Sequence, residues 1–286
     1  MKLRFYNSIG DVKFNYGTSE GLPFKLTAID GLALTDKTFD AVTYYGIPGQ
    51  YTVRENVGAR TITMSGDVPI GTDFRNKYAK ALNVLNIPGT LEIHFDDGEA
   101  RMIDCRCTAF TPGERHNIYQ VYVVQLVCDY PYFMNTKETI LPMFSRQALF
   151  NSSFTFPGML STRLLRSRHN YIGSVNTEPV IKLITTAEIT GGVSGKSIKI
   201  QNHTTGAVIE LVYTPDVGEV VTIDIPKRTI YNNSGTVLTA NITDDTFLDR
   251  FYLIPGINDI ESTNYNTSRE IVAEAHYFNQ YLEAIY

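Results

Sequence analysis

The sequence predicts an all-β protein with one or two helices. Residues that favour strands are abundant, including 18 Tyr and 15 Phe. Short alternating segments are separated by Gly and Pro turns, and only one internal segment has clear helical spacing. Aromatic and β-branched residues fit the pleated, half-buried surface of a sheet. A length of 286 residues suits one large β domain or two ordinary domains.

The charge of the chain excludes two classes of partner. With 25 Lys and Arg against 30 Asp and Glu, the formal net charge is −5. Non-specific binding to nucleic acid or to an anionic membrane needs a concentrated positive field. The opening MKLRFYNSIG has no apolar signal core, and no apolar run approaches the roughly 18 residues that span a bilayer. We therefore expect no membrane partner and no sequence-specific nucleic acid.

The first 70 residues predict short strands and one unusual aromatic segment. Arg60–Val68 alternates, with Ile62 and Met64 on one face, as expected of a half-buried strand. The preceding segment, residues 44–51, is rich in Tyr, Gly and Pro and has no clean period. We interpret it as an extended arm or a long hairpin. Two alternatives stay open for this segment: contact with another subunit, or a mobile surface loop.

One helix is predicted after this strand. Phe74, Tyr78, Ala81, Leu82 and Leu85 form an apolar stripe at helical spacing over about fourteen residues. We expect Thr72 or Asp73 to cap its start with a side-chain oxygen. Pro88 ends it, because proline cannot continue the helical hydrogen bonds.

A hairpin and a long strand follow the helix. Leu91, Ile93 and Phe95 alternate with polar residues, and Asp96-Asp97-Gly98 supplies a turn. The return strand runs from Met102 to Phe110, with Ile103, Cys105, Cys107 and Ala109 on one face. Cys105 and Cys107 are about 7 Å apart there, too far for a relaxed disulfide. A further strand runs from Tyr119 to Cys128. The three cysteines indicate a reducing place of assembly.

The second half of the chain predicts a new β domain. Residues 134–170, with Arg163, Arg166 and Arg168, suggest a connecting segment whose arginines are solvated or meet a protein. Turn signals then separate strands at the spacing of a sandwich. After Ile271 the local pattern leans towards a helix, although it also alternates weakly as a strand. The predicted strands are Val180–Thr185, Ser197–Gln201, Val208–Tyr213, Val220–Ile225, Thr229–Tyr231 and Asp249–Leu253.

No pattern in the sequence predicts a catalytic, metal or cofactor site. Gly191–Ser197 is superficially similar to a phosphate-binding loop, but Thr190 stands where the leading Gly belongs and a strand pattern follows Lys196. The adjacent carboxylates Asp96 and Asp97 fit a turn better than an acid/base pair. The five His residues have no metal-ligand spacing. We expect no enzyme activity and no cofactor.

An ordered set of blocks resembles the siphophage distal tail protein family, abbreviated Dit, which forms the hub of the phage tail tip. No single block is specific, and the resemblance rests on their order along the whole chain. The blocks are Ile47–Gly49, Ala59–Met64, Ala81-Leu82, Leu91–Phe95, Gln125–Tyr132, Gly173–Ile181, Gly218–Asp224 and Leu253–Asn258.

The resemblance implies two β domains. Residues 1–140 would form an N-terminal β-sandwich that builds a hexameric ring, with an arm near 40–58 that clasps the neighbouring subunit. Residues 141–286 would form a galectin-like C-terminal β-sandwich that includes the terminal strand, so the family overrules the helical pattern after Ile271. The arm residues expected at the subunit interface are Tyr44, Tyr45, Ile47, Pro48 and Tyr51.

The same resemblance implies a mechanical role in the virion, at the phage tail tip, after assembly in the host cytoplasm. The expected partners are five further copies, the tail tube protein, the tail-associated hub protein and receptor-binding proteins. DNA would pass through the bore, so we expect few Lys or Arg to line it. An alternative is a carbohydrate-binding module for adhesion to the host surface, in which Tyr would replace the missing Trp. A wall hydrolase is a weaker alternative.

Overall fold

Two separate hydrophobic cores divide the chain into two units. In the computed structural model, the first unit comprises Met1–Thr136 and Gln280–Tyr286, and the second comprises Lys137–Asn279. The structure describes residues 1–16, 24–71, 73–143, 145–148, 161–164, 166–188, 197–264 and 271–284. Within these residues one α-helix accompanies many strands, which confirms the all-β prediction.

The first unit is built on a long antiparallel sheet. Its strand order is β2-β1-β7-β8-β9-β6-β3, and a parallel bridge between Phe14 and Phe24 brings its two end strands together. The sheet thus curls around a single core. The elements of this unit are β1 (Lys2–Asn7), β2 (Gly10–Phe14), β3 (Lys25–Asp30), β4 (Lys37–Val42), β5 (Tyr51–Val57), β6 (Arg60–Pro69), α1 (Phe74–Leu85), β7 (Gly89–His94), β8 (Ala100–Arg115), β9 (Tyr119–Cys128), β10 (Phe133–Asn135) and β22 (Gln280–Tyr281).

The alternation of buried and exposed residues along the strands explains how this core forms. In β6, Ile62 and Met64 are fully buried, while Thr61 is exposed and Thr63 is half-buried. The prediction for this strand is confirmed. Position 66 of the same strand requires glycine, because a Cβ there would come within 1.8 Å of the carbonyl oxygen of Lys25. The Lys25 carbonyl also accepts a hydrogen bond from the hydroxyl of Tyr122 (2.9 Å), a ring that fills the middle of the core.

Helix α1 forms where the apolar spacing predicts it, from Phe74 to Leu85. Ala81, Val84 and Leu85 are buried, whereas Leu82 is only half-buried. Asp73 is the N-cap residue, as predicted, but it has φ 63° and its side chain makes no capping hydrogen bond, so the predicted capping bond is wrong. Its carboxylate instead accepts a hydrogen bond from Asn76 Nδ2 (2.6 Å). Thr72 lies outside the described residues.

The predicted hairpin is confirmed as β7 and β8. A register shift between Cys107 and Ala109 interrupts the alternation of β8. Ile103 and Cys105 are buried, Cys107 is half-buried, and Phe110 packs against the core from beyond the shift. The bulge therefore ends the single face that the sequence predicts for this strand.

The end of the chain returns to the first unit. Strand β22 pairs with β10, with Phe133 opposite Tyr281, and the N–H of Ala284 donates to the carbonyl oxygen of Leu32 (2.9 Å). The sequence interpretation assigned all of 141–286 to the second domain. The structure differs because backbone hydrogen bonds of Gln280–Tyr281 and of Ala284 hold the end of the chain in the first unit.

The second unit contains two antiparallel sheets around its own core. The larger has the order β11-β21-β15-β18-β19 and the smaller β14-β20-β16-β17, while β12 and β13 form a separate hairpin. The strands are β11 (Thr139–Pro142), β12 (Ser145–Ala148), β13 (Ser161–Leu164), β14 (Arg166–Tyr171), β15 (Val180–Thr185), β16 (Ile198–Asn202), β17 (Ala207–Leu211), β18 (Val220–Asp224), β19 (Thr229–Asn232), β20 (Gly256–Asn264) and β21 (Ile271–Tyr277).

Two local predictions for this unit have opposite outcomes. The segment after Ile271 is the strand β21, which pairs with both β11 and β15 and buries Ala273, Ala275 and Tyr277. The strand predicted at Asp249–Leu253 is wrong. A short 3-10 helix occupies Leu248–Arg250, and Leu253 makes only an isolated bridge with Thr177.

Candidate interaction surface

A hairpin with little contact to its own unit is the most prominent surface feature. Strands β4 and β5 form a two-stranded sheet of their own, and every described residue of the two strands is exposed except Val57. We call residues 37–57 the arm hairpin. Most sheets bury at least one face, so a hairpin exposed on both faces lacks the packing that stabilises an isolated pair of strands.

The tip of the arm hairpin is apolar and uncharged. Residues 42–53 contain no Asp, Glu, Lys or Arg. Tyr45 is fully exposed and Val53 is 70% exposed. The rings of Tyr44 and Tyr51 meet edge to face, with their centroids 5.6 Å apart. Apolar groups concentrated at one projecting tip are typical of a protein interface.

The register places charge at the base of the arm hairpin rather than at its tip. Phe39 lies opposite Glu55, and Val42 lies opposite Tyr51. The ammonium of Lys37 contacts the Glu55 carboxylate at 2.5 Å, which raises the pKa of Lys37. The arm hairpin therefore has the composition of a protein interface, with apolar residues at its tip and charged residues at its base.

Arg60 fixes the base of the arm hairpin. Its side chain is buried, with a residue exposure of 2%, and burial lowers the pKa of its guanidinium. Every hydrogen-bond acceptor described for it is an uncharged oxygen. These are the carbonyls of Gly31 (2.6 Å), Ala33, Pro131 (2.7 Å) and Leu282 (2.7 Å) and the hydroxyl of Thr35 (2.7 Å).

Gly31 completes this base. It adopts φ +88°, and a Cβ at this position would lie 2.1 Å from the carbonyl oxygen of Thr61. Only glycine combines that conformation with so close an approach. Because Arg60 and Gly31 hold residues 31–35 against β6, the point from which the arm hairpin leaves the unit is fixed.

The five interface residues predicted from the sequence all lie between the two arm strands or at their ends. The structure brings Tyr44 and Tyr51 into contact and leaves Ile47 and Pro48 in the exposed turn. The sequence interpretation missed three further exposed apolar residues of the arm hairpin. They are Phe39, Val42 and Val53. Their signal was weak because polar residues separate them along each strand.

The predicted connecting segment is in part a strand of the second unit. Strand β14 pairs with β20, and Arg166 donates from Nε and Nη2 to the carboxylate of Asp259 (2.7 and 2.6 Å). Arg168 Nε lies 3.5 Å from the same carboxylate. The interpretation of these two arginines as linker residues is wrong. The side chain of Arg163 lies outside the described residues, as do residues 191–196 of the glycine-rich turn.

The three cysteines and the turn carboxylate Asp96 have the contacts of structural residues. Cys105, Cys107 and Cys128 are free thiols. A hydrogen bond with Cys128, together with burial, raises the pKa of the Cys105 thiol. Asp96 accepts a hydrogen bond from the amine of Met1 (2.7 Å), which lowers the pKa of that carboxyl.

Grooves and clusters add little chemistry in the described parts of the chain. A groove of about 630 Å³ lies between β2 and α1 and carries Lys13, Lys77 and Lys80 over an apolar floor. No group of three or more His, Cys, Asp or Glu side chains among the described residues could hold a metal ion. No described helix is both long enough and apolar enough to cross a bilayer.

The sugar-binding alternative requires an exposed aromatic platform in the second unit. Tyr171 and Tyr277 are buried there, and Tyr213, Tyr231 and Tyr252 are half-buried. Tyr265 lies outside the described residues. Among the described residues of 137–279 no tyrosine is exposed, and the exposed aromatic residue is Phe247, at 46%, with the guanidinium of Arg250 4.5 Å from its ring centroid.

Comparison with known sequences finds one family model that is similar to most of the second unit. Residues 172–281 match the family model named siphovirus-type tail component, C-terminal domain. No curated protein matches the chain.

Comparison with solved structures covers both units. The Dit protein (gp 19.1) of phage SPP1, described as a paradigm of hub adsorption apparatus in Gram-positive infecting phages, matches 98% of this chain and 99% of its own. The TM-score is 0.69 at 13% identity, which shows a shared fold. The phage P2 baseplate in its activated conformation also matches, once with Ca and once with Sr, over 97% of both chains. Its TM-scores of 0.48 and 0.46, at 13% and 12% identity, are too low to carry an argument.

Proposed function

We propose that the chain is a structural hub protein of a phage tail tip and a member of the Dit family, because residues 172–281 match the model of the siphovirus-type tail component, C-terminal domain. The fold shared with SPP1 Dit along nearly the whole chain supports this role. We assign it no catalytic step, because its most prominent surface feature is built for contact with protein.

The observation that carries this proposal is the exposed arm hairpin. A two-stranded hairpin with no buried face is marginal in water by itself. Its uncharged tip, with Tyr45 and Val53 exposed, becomes more stable when another subunit covers it. An arm that contacts a different surface on the next copy makes a head-to-tail interface, and such interfaces close into rings when the rotation permits. We propose a ring of six copies.

In this ring the arm hairpin is the main subunit contact. Tyr44, Tyr45, Ile47, Pro48 and Tyr51 lie at the interface. Large aromatic side chains contribute most of the binding energy of many interfaces because they bury much apolar area with few rotatable bonds. Phe39, Val42 and Val53 extend the contact towards the base of the arm hairpin. A permanent interface of this kind buries on the order of 2,000 Å².

The ring joins the tail tube protein on one side to the tail-associated hub protein and the receptor-binding proteins on the other. DNA passes through its bore without sequence-specific contact. The protein is assembled in the host cytoplasm and is then part of the virion, at the tail tip. A bore that passes DNA freely exposes few Lys or Arg, because each phosphate contact slows passage.

The experiment that tests this proposal is the mass of the purified protein in solution. Light scattering coupled to size exclusion, with negative-stain imaging, gives the number of copies and the shape. A variant with Tyr45→Asp and Val53→Asp carries charge on the tip and should shift the protein towards monomer. The matched control, Val217→Asp in an exposed turn of the second unit, should leave the mass unchanged. A wild-type monomer at micromolar concentration with no ring in the images would reject the proposal.

A further inference from the structure

Cys105 and Cys128 face each other across two neighbouring strands of the first unit. Strands β8 and β9 pair Arg106 with Val127, and the next step of the same antiparallel register places Cys105 opposite Cys128. Both side chains belong to the core, with residue exposures of 6% and 0%. A hydrogen bond joins the two thiols. The two sulfur atoms are therefore neighbours in the fold, although the residues are distant in the sequence.

The spacing of paired strands suits a disulfide at this position. Residues directly opposite each other on antiparallel strands have Cα atoms about 4.5 or 5.5 Å apart, and natural disulfides join Cα atoms roughly 4.4–6.8 Å apart. Cys107 does not share this geometry. It lies opposite Leu126, and its thiol donates a hydrogen bond to the carbonyl oxygen of Ala109 (3.4 Å). The fold therefore selects one pairing among the three cysteines.

A surface groove reaches this pair from outside the unit. It has a volume of about 430 Å³, and Cys105 lines it together with Gly89, Arg106 and Val127. The hydrogen bond with Cys128 and burial raise the pKa of the Cys105 thiol, so little thiolate is present near neutral pH and its attack on a disulfide reagent is slow. The pair stays reduced during assembly and oxidises over a period on the order of hours.

We propose that Cys105 and Cys128 form a disulfide bond, which ties β8 to the end of β9, once the protein leaves a reducing compartment. The oxidant is a small disulfide such as oxidised glutathione. The Cys105 thiolate attacks one of its sulfur atoms, which forms a mixed disulfide and releases one reduced glutathione. The Cys128 thiolate then attacks Sγ of Cys105 and releases the second. The two protons of the protein thiols end on the two glutathione thiols.

The bond stabilises the part of the first unit that surrounds Arg60. Arg60 lies opposite Cys128 in the pairing of β6 with β9, and its guanidinium binds the carbonyl oxygen of Pro131 just after β9 ends. A disulfide here stabilises chiefly by restricting the unfolded chain. The time of oxidation rests on the proposed place in the virion, since the cytoplasm keeps thiols reduced and the medium outside the cell does not. The pairing itself does not depend on that proposal.

Peptide mapping of the wild-type chain tests the pairing. The native, reduced protein is incubated at pH 8 with millimolar oxidised glutathione, quenched in acid, denatured, alkylated and digested without reductant. Trypsin cleaves after Arg106 and so separates Cys105 from Cys107. Mass spectrometry should find Cys105 linked to Cys128 and Cys107 alkylated, whereas oxidation in urea, the control, should give mixed pairings. If Cys105 and Cys128 remain unlinked after a day, or Cys107 is linked instead, the inference is wrong.

Thermal unfolding tests the effect of the bond. Oxidation should raise the unfolding midpoint of the first unit by about 5 °C or more, and a reductant should reverse the shift. Cys128→Ser should abolish the shift, and the matched control Cys107→Ser should keep it. Oxidised wild-type protein without a shift, or a shift that survives Cys128→Ser, would overturn the inference. The peptide map needs no variant, and neither test depends on the number of copies, so failure here leaves the proposed ring standing.

Discussion

Arg60 Nη2 donates a hydrogen bond to the carbonyl oxygen of Leu282 at 2.7 Å, across 222 residues of sequence. The same guanidinium donates to Gly31 and Pro131 and lies 4.6 Å from the ring centroid of Phe133. One buried cation therefore connects the base of the arm hairpin, the end of β9 and the returning end of the chain. This contact ties residues 31–35, just before the arm hairpin, and the returning end of the chain to the start of β6.

Replacement of Arg60 should destabilise the first unit strongly. Arg60→Met keeps the length of the side chain but leaves several buried carbonyl oxygens without a donor, and we expect a loss of about 3 kcal/mol in the free energy of unfolding. Urea unfolding measures it. Arg106→Met, at an exposed pair with Asp129, is the control and should cost less than about 1 kcal/mol. Equal stability of the two variants would contradict the role given to Arg60.

Gly31 should not tolerate a side chain. In Gly31→Ala the new Cβ meets the carbonyl oxygen of Thr61 at a backbone angle that alanine avoids, so we expect a loss of about 2 kcal/mol or more. Gly58→Ala, at the other end of the arm hairpin, meets no atom within 4 Å and should be neutral. Thermal unfolding of both variants gives the comparison, and a neutral Gly31→Ala would show that residues 31–35 are not held as described.

The cysteines should react slowly in the folded protein. A hydrogen bond with Cys128 and burial raise the pKa of Cys105, and burial raises that of Cys107. Only the thiolate attacks an alkylating reagent, so at pH 8 iodoacetamide should label these two thiols at least about tenfold more slowly than free glutathione. Mass spectrometry after denaturation should find all three cysteines labelled. Rapid labelling of Cys105 in the native protein would contradict the described packing.

Asp259 should stabilise the second unit in a pH-dependent way. The hydrogen bond from Arg166 lowers the pKa of its carboxyl in the folded state. A depressed folded pKa gives stability that is present above the unfolded value, about 3.9, and is lost as the pH falls through the folded value. Asp259→Asn should therefore cost about 1 kcal/mol at pH 7.

The difference between the Asp259→Asn variant and the wild type should shrink as the pH falls below the unfolded value and approach zero once the pH lies below the lowered folded value, since the wild-type carboxyl is then protonated in both states. Unfolding curves at pH 7, 4 and 3 measure this difference in the free energy of unfolding. Asp245→Asn, at an exposed residue, is the control. A difference that grows in acid would have the wrong sign for this ion pair.

Alternation and turn chemistry predicted much of the fold. The strand at Arg60, the hairpin after Leu91 and the helix containing Ala81 all form, because each pattern is local and each apolar face finds a core. The segment after Ile271 shows the limit of local reasoning. Its residues have helical spacing, but the segment is a strand because it pairs with β11 on one side and with β15 on the other.

The arm hairpin was predictable in part. A Tyr, Gly and Pro segment with no local core indicates a projecting element, and the structure places Tyr45 at an exposed tip. The roles of Arg60 and Gly31 were not predictable, because a guanidinium that binds carbonyl oxygens distant in sequence leaves no motif.

The most direct test of the account is the number of copies in the native assembly, measured by native mass spectrometry on the wild-type chain and on the Tyr45→Asp, Val53→Asp variant. The account predicts a wild-type species of six times the 32.1 kDa mass of one chain and a variant that is largely monomeric. A wild-type chain that remains monomeric across the micromolar range, or a variant that assembles as well as the wild type, would contradict it.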